Sequence, residues 1–112
     1  MILNNMAMAQ IRAGKPEKAI GYADRAVELD RTGDPRVLET RAQARADLGD
    51  REGAISDLEK ASSLCRSMCP SSALKAESNE KIPEAPSDRC DFALAVSCRE
   101  IEAKLEQLAI RP

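Results

Sequence analysis

Histidine and tryptophan are missing from this chain, and aromatic residues make up only 2% of it, as Tyr22 and Phe92. Without histidine, the usual general base near neutral pH is gone. Without large rings, a core has to be built from Ala, Leu, Ile, Val and Met, an inventory that suits closely packed helices. Charge of one sign is lacking as well. Lys and Arg number 17 against 19 Asp and Glu, a net charge of −2, which leaves no basic field for nucleic acid. No apolar run reaches the roughly 18 residues that a membrane span needs. Glycine-rich phosphate loops, nucleophile elbows and metalloprotease signatures are absent from the sequence. The opening Met1 to Gln10 is interrupted by Asn4 and Asn5 and does not read as a secretory signal. These absences predict a cytoplasmic protein that is not an enzyme, holds no cofactor or metal, and binds neither nucleic acid nor membrane.

What the chain does contain is a copy of itself. Leu3, Ala7, Ala9, Gly14, Glu17, Ala19, Ile20, Ala26 and Leu29 recur 35 residues later as Leu38, Ala42, Ala44, Gly49, Glu52, Ala54, Ile55, Ala61 and Leu64. Asp24 and Arg25 recur conservatively as Glu59 and Lys60. A period of this length marks one supersecondary unit, duplicated and stacked so that each copy buries its apolar face against its neighbour. At 112 residues the chain is one domain, able to bury roughly 65% of its unfolded surface.

Punctuation residues divide each copy into two helices. Gly14 can take a left-handed conformation after a first helix, and Pro16 fits the first position of a second, which runs to about Asp30. Gly33 closes that helix, and Asp34 caps a third that opens at Pro35 and reaches about Leu48. Gly49 and Asp50 repeat the stop and start, predicting a fourth helix over Arg51 to Arg66. Short side chains let hairpin helices approach, so Ala7 is expected against Ala19 and Ala42 against Ala54. Leu3, Met6, Ile20, Val27, Leu29, Leu38, Ile55, Leu58 and Leu64 are expected to fill the spaces around them. Residues 1–66 thus form two hairpins. Residues 67–87, rich in Ser, Pro, Glu and Lys, read as a connector or a decayed third repeat, with a short helix over 71–81 in register with it. Pro83 and Pro86 break helix there. A last helix over residues 88–110, capped by Ser87 or Asp88, carries Leu94, Cys98, Ile101, Leu105 and Leu108 in steps of 4, 3, 4 and 3, one apolar stripe suited to covering the open end of the stack.

Small Ala in the first helix, Gly at the turn, Glu-x-Ala-Ile opening the second helix and Ala-x-x-Leu near its end resemble the tetratricopeptide repeat over residues 1–64. The segments Gly14 to Ile20 and Gly49 to Ile55 carry the resemblance. So does Ala26-Val27-Glu28-Leu29-Asp30. The family's unit of about 34 residues is one shorter than the period here. Leu3 and Leu38 stand where the family often has an aromatic residue, and Arg41 and Arg45 occupy packing positions. The resemblance implies an all-α fold of tandem antiparallel hairpins, a fragment of an α-solenoid with a C-terminal capping helix. It also implies binding of a peptide or partner helix on the concave face. Carried over position by position, that face holds Asn4, Asn5, Met8, Ile11 and Arg12 from the first copy and Glu39, Thr40, Gln43 and Asp47 from the second. Asn side chains there offer a bound backbone both a donor and an acceptor. Family members that clamp a chaperone's C-terminal carboxylate have Lys and Asn where this chain has Asn4 and Met8, so that ligand is not expected.

Other residues admit sharper and blander accounts. The first copy starts abruptly, leaving Ile2, Leu3 and Met6 at an uncapped edge that suits a longer array or a homo-oligomer. Cys65 and Cys69 could belong to a metal site, but Cys90 and Cys98 lie about 12 Å apart along a helix against about 6 Å for the first pair. The mismatch rules out two bridges between antiparallel helices. Free, partly buried thiols are the favoured expectation, with one or two disulfides or a thiol- or metal-regulated module as alternatives. Arg41 and Arg45, one turn apart, could grip a carboxylate or phosphate, yet their stems more simply cover apolar surface while their heads reach water or a Glu. Asp24, Glu28, Asp57 and Glu59 are expected to be solvated.

Overall fold

The computed structural model describes residues 2–31, 33–69 and 92–110, and within them the chain forms five helices and no strand. They are α1 (Ile2–Arg12), α2 (Pro16–Leu29), α3 (Pro35–Asp47), α4 (Arg51–Met68) and α5 (Phe92–Ile110). The fold is all-α: two antiparallel hairpins, α1–α2 and α3–α4, stack through α2 on α3, and α5 packs along α4 and reaches α3. Most of the expected connector over 67–87, the short helix over 71–81 and the Ser87 or Asp88 cap fall outside the described residues.

Local chemistry sets the helix ends. Gly14 takes φ +75° after α1, and the Lys15 N–H donates back to Gln10 O at 2.9 Å, so the last carbonyls of the helix find partners. Pro16 opens α2 at a position whose missing N–H costs nothing. Gly49 does for α3 what Gly14 does for α1, at φ +87°. Asp34 accepts the Arg36 N–H at the start of α3, and Asp50 accepts the Gly53 N–H at the start of α4. Two boundaries differ from expectation. Helix α2 ends at Leu29, closed by the extended Asp30, and Gly33 lies beyond it in the connecting loop. Helix α4 continues two residues past Arg66, to Met68.

Alanine governs the hairpin contacts. Ala7, Ala19, Ala42 and Ala54 are all buried, as are Ala23, Ala26 and Ala61. An apolar cluster lies around α4 and α5, where Leu58, Cys65 and Met68 meet Leu94, Ala95, Cys98 and Ile101, with Leu38, Leu105 and Leu108 packed against its margin. Met6 and Leu29 do not fill the hairpin as expected; both are exposed, Leu29 on the last turn of α2.

Cys65 and Cys98 form a disulfide between α4 and α5, with Cα atoms 5.7 Å apart, and Cys69 is disulfide-bonded as well. The free thiols favoured from spacing are therefore corrected. That expectation compared rises along two regular helices, whereas Cys69 sits past the end of α4 in extended backbone, where helical rise does not apply.

Asp57 is a second correction. Instead of being solvated it is fully buried, and it is the carboxylate that Arg41 and Arg45 grip. Arg41 donates from Nε at 2.9 Å and from Nη2 at 2.7 Å, one hydrogen bond to each carboxylate oxygen, and Arg45 Nη1 adds a third at 3.1 Å. Arg41 Nη1 also lies 3.6 Å from Asp24 on α2, so the cluster joins the two repeats. Hydrogen bonding to Asp57 raises the Arg41 pKa above its ordinary value, against the opposing effect of burial. The first copy has Met6, Gln10 and Tyr22 at the equivalent positions, so this polar centre belongs to the second copy alone. Asp57→Ala should lower stability by about 3–5 kcal/mol, because two partly buried guanidinium groups lose their acceptor. Asp24→Ala, at a half-exposed partner, should cost under about 1 kcal/mol. Urea unfolding of the two variants reads the difference.

Candidate functional site

Three helices line a groove of about 380 Å³. Helix α1 contributes Asn4, Asn5, Met8, Ile11 and Arg12, and α3 contributes Arg36, Glu39, Thr40 and Gln43. Ser97, Glu100 and Lys104 of α5 form the third wall. Of the concave-face residues expected from sequence, only Asp47 stands off this lining; it is exposed and accepts a hydrogen bond from Gln43 Nε2 at 3.0 Å.

The lining side chains are not equally accessible. Asn5 and Arg12 are exposed, and Met8, Ile11, Glu39 and Gln43 are half-buried. Asn4 and Thr40 are buried, which corrects their expected display on the surface. Thr40 turns its hydroxyl back to Arg36 O at 3.0 Å, one helical turn earlier. Asn4 directs Nδ2 at the Met8 sulfur, 3.9 Å away, while its Oδ1 has no hydrogen-bond partner in the structure.

Fixed charges shape the groove. Lys104 Nζ on α5 lies 3.0 Å from Glu39 Oε2 on α3, tying the third wall to the second. Arg36 is held by Asp34, with Nε and Nη2 donating to the two carboxylate oxygens at 3.0 and 2.9 Å. Burial raises the Glu39 pKa above its ordinary 4.5, with the Lys104 charge and hydrogen bond pulling the other way. The arrangement offers amide, ammonium, guanidinium and thioether groups along one channel.

Helix α5 has its place in the groove because it is anchored along its length. The Cys65–Cys98 bridge holds its first half, Ser62 of α4 hydrogen-bonds Glu102, and Arg51 donates to the Leu108 carbonyl. The apolar stripe marks this helix as a cover, and Ser97, Glu100 and Lys104 lie outside the face expected from sequence. The signal was present: each directly precedes a residue of the apolar stripe, Cys98, Ile101 or Leu105, and so lies on the flank of the buried face. Arg36 was missed too, although it stands one turn before Thr40 and two before Gln43. Among the described residues, no group of three His, Cys, Asp or Glu side chains is placed to hold a metal ion, and no helix is long and apolar enough to cross a membrane.

The tetratricopeptide repeat family matches residues 2–32 and 35–67, more than half of the chain and one match for each hairpin. The chain belongs to that family. No curated protein and no solved structure matches it. Tetratricopeptide repeats are generally protein-interaction modules and typically not catalytic.

The Glu39 shift has a sign that can be checked. A carboxyl whose folded-state pKa is raised contributes stability that is fully present below the unfolded value of 4.5 and is lost as pH rises through the folded value. Neutral Gln at this position removes that dependence. The stability of the parent chain minus that of Glu39→Gln should therefore fall as pH rises from below 4.5, as measured by urea unfolding across a pH series.

Proposed function

We propose that the protein is a non-catalytic binding module that holds a peptide or partner helix in the groove between α1, α3 and α5. The observation that carries this reading is the gathering of Asn5, Met8, Ile11, Arg12 and Gln43, all at least partly accessible, along one channel of about 380 Å³. A bound backbone can exchange hydrogen bonds with Asn5 and Gln43 while its side chains rest on Met8 and Ile11. Neither nucleic acid nor membrane is proposed as a partner, since charges of both signs alternate along the groove. An adaptor or scaffold role follows from this kind of recognition.

The disulfides favour a compartment that keeps thiols oxidised, in place of the cytoplasm suggested by sequence. A thiol-regulated use would act through Cys65–Cys98, because that bridge holds the helix carrying the third wall.

The groove reading is tested with Asn5→Ala combined with Gln43→Ala. A partner isolated on the immobilised chain and then purified should bind the double variant at least tenfold more weakly in calorimetry, on the order of 1.4 kcal/mol. The melting temperature should stay close to that of the parent, because surface changes of this kind stay within about 0.5 kcal/mol. Equal affinity would remove the groove from the account.

A further inference from the structure

Adjoining the groove is a smaller cavity of about 140 Å³, which shares Gln43 and Lys104 with the groove lining and reaches between α3 and α5 to Leu58 of α4. Its deeper walls are apolar: Ala42 and Ala46 on α3, Leu58 beneath them and Leu108 on α5. The repeat itself accounts for the space. Ala46 is the counterpart of Ile11, 35 residues earlier, so a methyl group stands where the first copy puts a branched chain into the groove lining. Ala42 lies one turn before Ala46 on the same face, and the two short side chains together leave α3 hollow at this level. An apolar cavity of roughly 150 Å³ can hold benzene, so this one has room for a single branched aliphatic or phenyl side chain.

The mouth of the cavity is polar and carries charge of one sign. Among the described residues lining it, Lys104 alone is charged. Its ammonium has three donors, of which one reaches Glu39 Oε2 at 3.0 Å, and its side chain stays 38% exposed, so a second carboxylate can share it. Gln43 donates from Nε2 to Asp47, which leaves its Oε1 as an acceptor beside the same opening. An apolar pocket, a cation and an amide carbonyl thus stand together at the junction of the two spaces.

We propose that this cavity is the anchor subsite of the groove, taking one branched aliphatic or aromatic side chain of the bound polypeptide while Lys104 pairs with a carboxylate on the neighbouring residue. Gln43 Oε1 accepts a backbone N–H of the same segment. The inference rests on the groove reading for the kind of ligand, and it narrows that ligand to segments in which a large apolar residue adjoins Asp or Glu. A buried anchor with polar contacts at its rim is the arrangement that concentrates binding energy in few residues.

The probe is the capped dipeptide N-acetyl-Leu-Asp-amide, titrated into the full chain at millimolar concentration and followed through the methyl NMR signals of Ala42, Ala46, Leu58 and Leu108. These signals should shift together and saturate. N-acetyl-Ala-Asp-amide, which lacks the anchor, and N-acetyl-Leu-Lys-amide, which reverses the charge, should each bind at least threefold more weakly. Ala46→Ile, which restores the residue of the first copy, should abolish the shifts at the other three walls with an unchanged helical circular dichroism spectrum. The three dipeptides on the parent chain read the same claim without any substitution. A partner isolated on the immobilised chain should bind Ala46→Ile at least tenfold more weakly. A partner that loses affinity with Asn5→Ala combined with Gln43→Ala but not with Ala46→Ile would keep the groove and overturn the anchor, whereas a partner indifferent to both would remove the groove itself. Signals that fail to saturate, an equal response to the Ala-Asp dipeptide, or a response that survives Ala46→Ile would also overturn the proposal.

Discussion

The close approach of helices across alanine is the constraint on which the rest of this structure depends. A chain with two aromatic residues cannot fill wide gaps between helices, so it has to have few of them. Ala7 and Ala19 in one hairpin and Ala42 and Ala54 in the other add little side-chain bulk between helices that pack together, and all four are buried. Ala23, Ala26 and Ala61 are buried as well. Larger apolar groups then concentrate in one place, between α4 and α5, where Leu58 and Ile101 are the largest buried side chains. Close packing at interior density makes such contacts intolerant of added volume.

Upon this shared frame the two copies have diverged. The second buries Asp57 under Arg41 and Arg45, and the first has no such centre. Replacement of buried charge by apolar groups is often neutral or stabilising, so this cluster is not needed for stability as such. Its geometry suits another role, which is to fix how the repeats sit against each other, since Arg41 also reaches toward Asp24 of α2. That register in turn sets the spacing between α1 and α3, the two walls of the groove contributed by the repeats. The third wall is set independently, by the disulfide and by the pairing of Lys104 with Glu39.

Much of this was legible in the residues. The 35-residue offset, the glycines at 14 and 49 and the caps at Asp34 and Asp50 give the hairpins and their ends, because each of these signals is local. The stripe from Leu94 to Leu108 gives the buried face of α5 for the same reason. What stayed hidden was long-range. Nothing local tells that Asp57 meets Arg41, 16 residues away in sequence, or that Cys65 meets Cys98, 33 residues away. Asn4 and Thr40 share the face of the groove residues yet are buried, because a position on a face does not fix its exposure. The groove's third wall escaped notice because a helix that buries one stripe was not credited with the residues flanking it.

The central claim is that alanine at the hairpin contacts is what allows the stack to close. It is tested most directly by adding volume there and nowhere else. Ala54→Leu enlarges a fully buried contact, while Ala103→Leu makes the same chemical change on an exposed turn of α5. Urea unfolding should show Ala54→Leu less stable by about 1–3 kcal/mol, since the helices must separate or adopt strained rotamers. Ala103→Leu should stay within about 0.5 kcal/mol of the parent. If Ala54→Leu were as stable as Ala103→Leu, the space between the helices would be wider than these contacts require, and the account would be contradicted.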